Sequence, residues 1–523
     1  MISDSFSQPL SFTGSPYGVL EYGVFCAVSC LFTWVVYTRL FHPLKDVPGP
    51  FWASVSRSWL GYQVSTGKVV QILRRLHEKH GPLVRIAPDE VSVADPSAVK
   101  LIYGAKSGFA KTDFYAPWAV GITPHGDHFA QMDNVKHASR RKLVNSVYSM
   151  SSVLESEEYI DDCIDMFMDK MSKFSRTKEN VDLGEWIQWY TFDVIGELFF
   201  GQQFGFMRDE HDFDNYILSL DTLTPTTSVI CVLPALLRSV QPVLGLISTK
   251  IRRAVQGFNE VRNAGTFWMQ QRMQHMTDGK VTRSDLLDKL FRVQENKQDF
   301  GIREIQSESV VAILAGSDTT AIAIRAVLYF LMKTPEAYDK LTAEIDQADR
   351  DGRLSSQIQY NEALKLPYLV ACTKEGMRMH PSVGMTMPRY VPAGGRVIAG
   401  HFLRAGTKVG ISAPVLHHNK DIFGHDADIY NPDRWLRESQ AAAEMDRHML
   451  HFGAGSRICI GKNISLAEIH KIIPRLLKEY RLELIDPKKE WETHNFWFNK
   501  QTEIHVKITA RQHLEECTNQ GLP

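Results

Sequence analysis

The ten residues "FGAGSRICIG", Phe452 to Gly461, hold three glycines, one arginine and one cysteine. The string looks like a phosphate-binding loop but fails that test. After Gly453-x-Gly455 the third glycine of a dinucleotide fingerprint would stand at position 458, which is Ile458. The residues that follow account for the cysteine better. From Ile464 onward the apolar residues recur at helical spacing, so Cys459 lies just ahead of a helix N-terminus, where free N–H groups and the helix dipole favour a thiolate. Gly453 and Gly455 permit a tight turn before it, and Gly461 lets the chain pass close to a bulky flat group. Arg457 is placed to reach an anionic edge. The pattern suits a cysteine held beneath a planar metal cofactor. Taken alone, the same residues also fit a buried cysteine in a glycine-rich turn.

The chain around this loop has 523 residues, 44% of them hydrophobic, ample for a large core. Lys+Arg is 59 against Asp+Glu 60, so no basic field points to nucleic acid. The seven cysteines contain no CxxC pair, which argues against a disulfide framework or a zinc site and for a reducing compartment. The stretch "YGVFCAVSCLFTWVVY", Tyr22 to Tyr37, carries no charge. With its apolar flanks it reaches about 20 residues, enough to cross a bilayer as a helix. No lysine or arginine precedes it, and Arg39 and Lys45 follow. The spacing therefore predicts a single-pass anchor over residues 1–41 with the downstream part cytosolic, rather than a cleaved signal peptide.

"HPLKDVPGP" (His42–Pro50), with three prolines, predicts a stiff, extended stalk. "KVVQILRRLHEKHG" predicts an amphipathic helix stopped by Gly81 and Pro82, and "LVRIAPDEVSVAD" a hairpin turning at Pro88-Asp89. Helical periodicity dominates from about 135 to 385, and the alternation around Arg396–Gly410 predicts short strands. The fold class is mainly α with minor β.

Phe452, Gly455, Arg457, Cys459 and Gly461 match F-x-x-G-x-R-x-C-x-G at every defined position. The chain thereby resembles the cytochrome P450 haem-thiolate monooxygenases. The resemblance implies their fold over residues 42–523, preceded by the membrane helix. It also implies Cys459 as axial ligand of the iron of haem b (iron protoporphyrin IX), with Phe452, Arg457 and Gly461 beside the cofactor. Glu375 and Arg378 of "KEGMR" are helix neighbours at i and i+3. With Arg434 of "YNPDRW" they match the family's buried structural triad. "AGSDTT", Ala315 to Thr320, lies in a long apolar helix, where Gly316 and the neighbouring hydroxyls predict a bent or opened turn. Asp318 and Thr319 match the family's acid–alcohol pair for proton delivery. In "HASRRKLVNSVYS", His137 and Arg141 stand at positions that bind haem propionates, as does Arg389 of "PRYVPAGG". "VRIAPDEVSVADPSAVKLIYG" and "TFDVIGELFFG" are similar to the filamentous-fungal branch that includes pisatin demethylase.

A thiolate ligand favours O–O cleavage, so the resemblance implies insertion of one oxygen atom of O2 into a substrate. No flavin or nicotinamide motif is present. The resemblance implies electrons from an NADPH–cytochrome reductase in the endoplasmic reticulum membrane, docking on Lys462, Lys136, Arg140 and Lys142, residues that also fit a plain solvated face. The walls expected for the pocket are Phe109–Ile122, Ile230–Leu237, Ile313 and Leu314, Val383–Met387 and Phe496–Phe498, mostly apolar, which suits a neutral lipophilic small molecule. A haem-thiolate isomerase or dehydratase on the same fold, or a haem sensor, are the rival readings. The intact Asp318–Thr319 pair argues against the first.

Overall fold

The longest apolar run away from the N-terminus becomes a single helix of 32 residues, Ile302–Lys333. The computed structural model, which describes residues 16–123, 126–239, 248–279, 283–297, 299–437 and 439–511, is built around it. A helix that is apolar on most of its surface must be covered on most sides. Here the helices Leu183–Phe200, Thr249–Thr277, Pro367–Met379 and Lys462–Glu479 pack onto it. In Leu183–Phe200 every residue but Glu185 is buried. Asp182 caps its start by accepting from the Gly184 and Glu185 N–H groups. The expected break at Gly316 does not occur, because the central helix stays α-helical throughout. A Cβ at Gly316 would lie 2.6 Å from Ile195 Cδ1, so this glycine serves the close approach of two helices instead of opening a turn.

Both expected β regions form: Arg396–Ile398 and His401–Leu403 make a two-stranded sheet of their own, and Lys408–Ile411 joins the N-terminal hairpin in a five-stranded sheet. Leu83–Ala87 pairs antiparallel with Glu90–Val93, which runs parallel to Lys408–Ile411. Arg389–Tyr390 follows antiparallel, and then Ala110–Lys111. The last register sets Lys111 directly opposite Arg389. Val69–His80 is the expected amphipathic helix, ended by Gly81 at φ +87.

Pro16–Val36 is helical and passes into a π-turn at Tyr37–Phe41. Leu20–Phe41, 22 residues of mean hydropathy 1.7, is almost wholly exposed and is a candidate membrane span. Its end is docked on the rest of the protein. The Trp34 indole donates to Val55 O at 2.8 Å, and the Arg85 guanidinium, only 2% exposed, donates to Thr38 O at 3.0 Å. The stalk expectation for 42–50 is corrected. The segment folds as turns, buries Leu44 and Val47 in the apolar cluster beneath the sheet, and its Pro48 carbonyl accepts from the Arg85 N–H. Burial of two apolar side chains and the buried arginine's need for carbonyl acceptors override the extended preference of the prolines.

These contacts set an expected outcome for truncation. Removing residues 1–30 should leave urea unfolding of the remainder unchanged. Removing 1–41 takes one acceptor from Arg85 and should cost about 1.5–3 kcal/mol, the range for a hydrogen bond to a charged group.

Candidate active site

The cysteine loop rests on a buried ion network. The Glu375 carboxylate lies 2.8 Å from Arg378 and 2.9 Å from Arg434, with all three side chains fully buried. It also accepts from the Trp435 indole and the Asn431 N–H, each at 2.9 Å. The guanidiniums turn their remaining N–H groups to backbone carbonyls: Arg378 to His417 O (2.6 Å) and Ala427 O (2.7 Å), Arg434 to Phe423 O, Asp426 O and Ile429 O. A buried ion pair is tolerable when its spare donors are satisfied in this way. No local motif marks the next link. The His417 ring joins Arg378 O through Nδ1 at 3.1 Å, and its Nε2 accepts from Leu450 N at 2.8 Å. Nδ1 therefore carries the proton. Burial first, then His451 and Arg378, hold the ring neutral, its pKa well below the ordinary value of 6.5. The triad thus reaches the start of the cysteine loop through one imidazole.

Within the loop, Gly455 adopts φ +63, and a Cβ there would meet Tyr103 O at 1.9 Å. The Cys459 N–H donates to Phe452 O at 2.8 Å, and the helix Lys462–Glu479 begins three residues later. The Cys459 sulfur opens onto an internal cavity of about 300 Å³, with protein on its other sides. Burial pushes the thiol pKa up, and the Gly461 and Lys462 N–H groups and Arg141 bring it only part of the way back. The helix N-terminus therefore does not create the thiolate by itself, as its position in the sequence had suggested. A metal ion would, since a coordinated thiol is deprotonated outright. A Cβ at Gly461 would meet nothing closer than Cys459 Sγ at 4.0 Å, so this glycine keeps open the space beside the sulfur.

His137, Arg141, Arg389 and Arg457, all expected at the cofactor, line this cavity, and so does Lys111, which the sequence did not single out. Among the described residues none of the five forms an ion pair. Arg389 is held by Tyr115 Oη at 2.9 Å. Arg457 donates to Gln131 O at 2.6 Å, while its Nε has no partner. Lys111 sits over the Tyr115 and Phe129 rings at 4.1 and 4.2 Å. Burial, then the neighbouring cations, push His137 down to about 3 and Arg457 down to about 10, and hold Lys111 well below its ordinary value. Among the described lining residues Asp127 is the one carboxylate, acting on Lys111 without pairing to it, and positive charge gathered with so little counter-charge costs free energy unless an anion enters. A planar group with two carboxylates at its edge and a metal at its centre fits both the cations and the open sulfur. These residues therefore fit haem.

Across the cavity from the loop, Ala315, Gly316 and Thr319 of the central helix form the opposite wall. The Thr319 hydroxyl donates to Ala315 O at 2.8 Å. Asp318 does not line the cavity. It is buried on the other side of the helix, where the Gln188 amide donates to its carboxylate, and Arg325 donates to Gln188 Oε1 at 3.0 Å. A second network that the sequence did not reveal reaches the cavity edge. His128 pairs with Glu308 at 3.0 Å, and Tyr148 Oη donates to the same carboxylate at 3.1 Å. Burial lowers the His128 pKa, but Glu308 more than offsets this and raises it.

The wall expectations hold in part. Tyr115, Pro117, Trp118, Val120, Leu314, Val383, Met387, Trp497 and Phe498 line the cavity. Ile313, Met385 and the Ile230–Leu237 run do not. Cys231 and Val232 pack instead with Leu60 and Val64. The wall comes from ten residues earlier, Leu220, Leu223, Thr224 and Thr227, because the helix Tyr216–Val232 turns that stripe inward. Of the expected docking cations, Lys136 and Lys142 are exposed, whereas Arg140 is engaged with Glu304 at 3.3 Å.

The family model described as Cytochrome P450 matches residues 47–508. The chain is 40% identical over 499 residues to cytochrome P450 monooxygenase gsfF of Penicillium aethiopicum, covering 94% of this chain and 99% of that protein. It is 33% identical over 494 residues to cytochrome P450 monooxygenase cicH of Emericella nidulans, covering 91% and 96%. Pisatin demethylase of Fusarium vanettenii matches at 33% over 478 residues, 89% of each chain.

The neutral His417 gives the cysteine loop a defined acid response. Its folded pKa lies below the unfolded value of 6.5, so the stability it confers is present above that pH and is lost as pH falls through it. Thermal unfolding should therefore drop below pH 6.5, and His417→Gln, which keeps an acceptor for Leu450, should lessen the drop. His417→Leu should instead lower stability by about 1–3 kcal/mol even at pH 7.5, the cost of an unpaired buried N–H.

Proposed function

The chain belongs to the cytochrome P450 family, and from that premise we propose that it is a membrane-anchored monooxygenase placing one oxygen atom of O2 into a neutral lipophilic metabolite of fungal secondary metabolism. One observation carries the reading: Cys459, the basic residues Lys111, His137, Arg141, Arg389 and Arg457, which form no ion pair among the described residues, and Thr319 line the same cavity. Haem b, bound there, would supply reductive activation of O2 and the oxygen insertion. Cys459 would hold its iron, and His137, Arg141, Arg389 and Arg457 its two carboxylates. Phe452 and Gly461 would flank the ligand side.

The protein's own part in the reaction is proton supply and exclusion of water. Thr319 presents its hydroxyl in the wall and already donates to Ala315 O, so its oxygen is free to accept a further hydrogen bond. Asp318 is the acid behind it. Since the Asp318 carboxylate points to Gln188 and Arg325, a proton can pass from it to the cavity only if that side chain turns around the helix. Asp221, paired with Lys500 at 2.6 Å, stands close enough to feel the Asp318 charge and leads outward to solvent. Glu375, Arg378 and Arg434 do no chemistry and keep the cysteine loop in place. Electrons come from an NADPH–cytochrome reductase, met by Lys136, Lys142 and Lys462, with Leu20–Phe41 holding the protein to the endoplasmic reticulum membrane.

Cys459→Ser should abolish the red-shifted Soret band of the reduced carbon monoxide complex, and a surviving band would refute the ligand assignment. Turnover should require both NADPH and reductase, and product formed without them would favour an isomerase. Thr319→Ala should keep haem and ligand binding but release hydrogen peroxide in place of product. Unchanged coupling of NADPH use to product would remove the hydroxyl from the proton path.

A further inference from the structure

The helix Tyr216–Val232 carries four threonines that do not behave alike. Thr222 and Thr226 lie on its outer side and bond back to the preceding turn, Thr222 Oγ1 to Leu218 O at 2.8 Å and Thr226 Oγ1 to Thr222 O at 3.4 Å. This is the usual way a threonine hydroxyl satisfies itself within a helix. Thr224 and Thr227, three residues apart on one face, line the cavity and are only 8% and 7% exposed. Among the described residues neither of their hydroxyls has a hydrogen-bond partner, and neither belongs to the polar atoms sealed off inside the protein. Leu220 and Leu223 flank them, and Trp497 and Phe498 are also in the cavity wall. An apolar roof for a purely hydrocarbon ligand would have been cheaper to build with valine, which has the same shape.

We propose that Thr224 and Thr227 form a specificity-determining pair that hydrogen-bonds an oxygen function of the substrate, so that the enzyme takes lipophilic molecules bearing a hydroxyl, carbonyl or ether oxygen and discriminates against their hydrocarbon analogues. Free hydroxyls in an otherwise apolar pocket hold water until a ligand arrives. A ligand that reproduces those bonds binds, and one that displaces the water without replacing them loses affinity. A pocket built to hydrogen-bond a substrate oxygen rejects the analogue lacking it far better than an apolar pocket rejects a change of shape. Both residues belong to the helix Tyr216–Val232, an element separate from the cysteine loop and from the segments that carry the cations. The inference rests on the lipophilic-substrate reading above and makes it narrower.

The test is a spin-state titration of the haem-loaded, full-length protein with three probes on one frame: naphthol, methoxynaphthalene and ethylnaphthalene. Wild type should bind the two oxygenated probes roughly tenfold more tightly than ethylnaphthalene, about the worth of one hydrogen bond. The Thr224→Val/Thr227→Val double variant should bring all three within about twofold of each other without weakening ethylnaphthalene, and each single variant should lose part of the preference. The single variants serve if the double variant fails to load haem. A preference that survives the substitutions, or equal binding of all three probes to wild type, overturns the proposal while leaving the lipophilic-substrate reading intact. No spectral shift from any of the three, with the carbon monoxide band present, overturns both.

Discussion

The fully buried Glu375 carboxylate, held by two arginines, is the interaction on which the site depends. The two guanidiniums are balanced by Glu375 and, 3.0 Å from Arg434, by Asp426, and their spare N–H groups are spent on carbonyls of the 417–429 segment. That solution does more than satisfy charge. It ties the helix Pro367–Met379 to a long stretch of irregular backbone, and through His417 to Leu450 at the head of the cysteine loop. A loop of glycines has little rigidity of its own. Here the rigidity is supplied from behind, by groups that never meet a ligand.

The cavity inverts that balance. Around Glu375 the positive groups find acceptors, whereas at the cavity edge Lys111, His137, Arg141, Arg389 and Arg457 gather with no ion pair among the described residues. Burial first, and then the neighbouring cations, lower the proton affinity of His137 and Arg457. Such an arrangement is poor for the protein alone and good for a dianion, so stability and cofactor affinity draw on the same groups. Strand pairing adds to it: the register that sets Lys111 against Arg389 brings together two cations nearly three hundred residues apart.

The central helix separates two environments by its own geometry. Thr319 faces the cavity and Asp318, its neighbour, faces Gln188 and Arg325, because successive residues on a helix point about a hundred degrees apart. The carboxylate is thereby kept out of the apolar pocket. Gly316 allows this helix to lie against Ile195 closely enough for Gln188 to reach the carboxylate.

Local pattern carried the family, the mainly α fold, the cysteine, the Glu375–Arg378 pair and most of the cations, because each of these rests on residue type at short spacing. The apolar N-terminal run and the helix at 69–80 were legible for the same reason. What the sequence could not convey depends on contacts between distant segments. Prolines at 42–50 implied an extended spacer, yet Arg85 and the apolar cluster under the sheet fold that segment against the domain. Glycine 316 looked like a helix flaw and proved a packing contact. Lys111, His128 and His417 carry no local signature, since a lysine or histidine acquires its role only from the side chains that surround it. The facing of the Tyr216–Val232 helix, which moved the wall from 230–237 to 220–227, was likewise set by its neighbours. Sequence periodicity gives which residues share a face, and only packing decides which face turns inward.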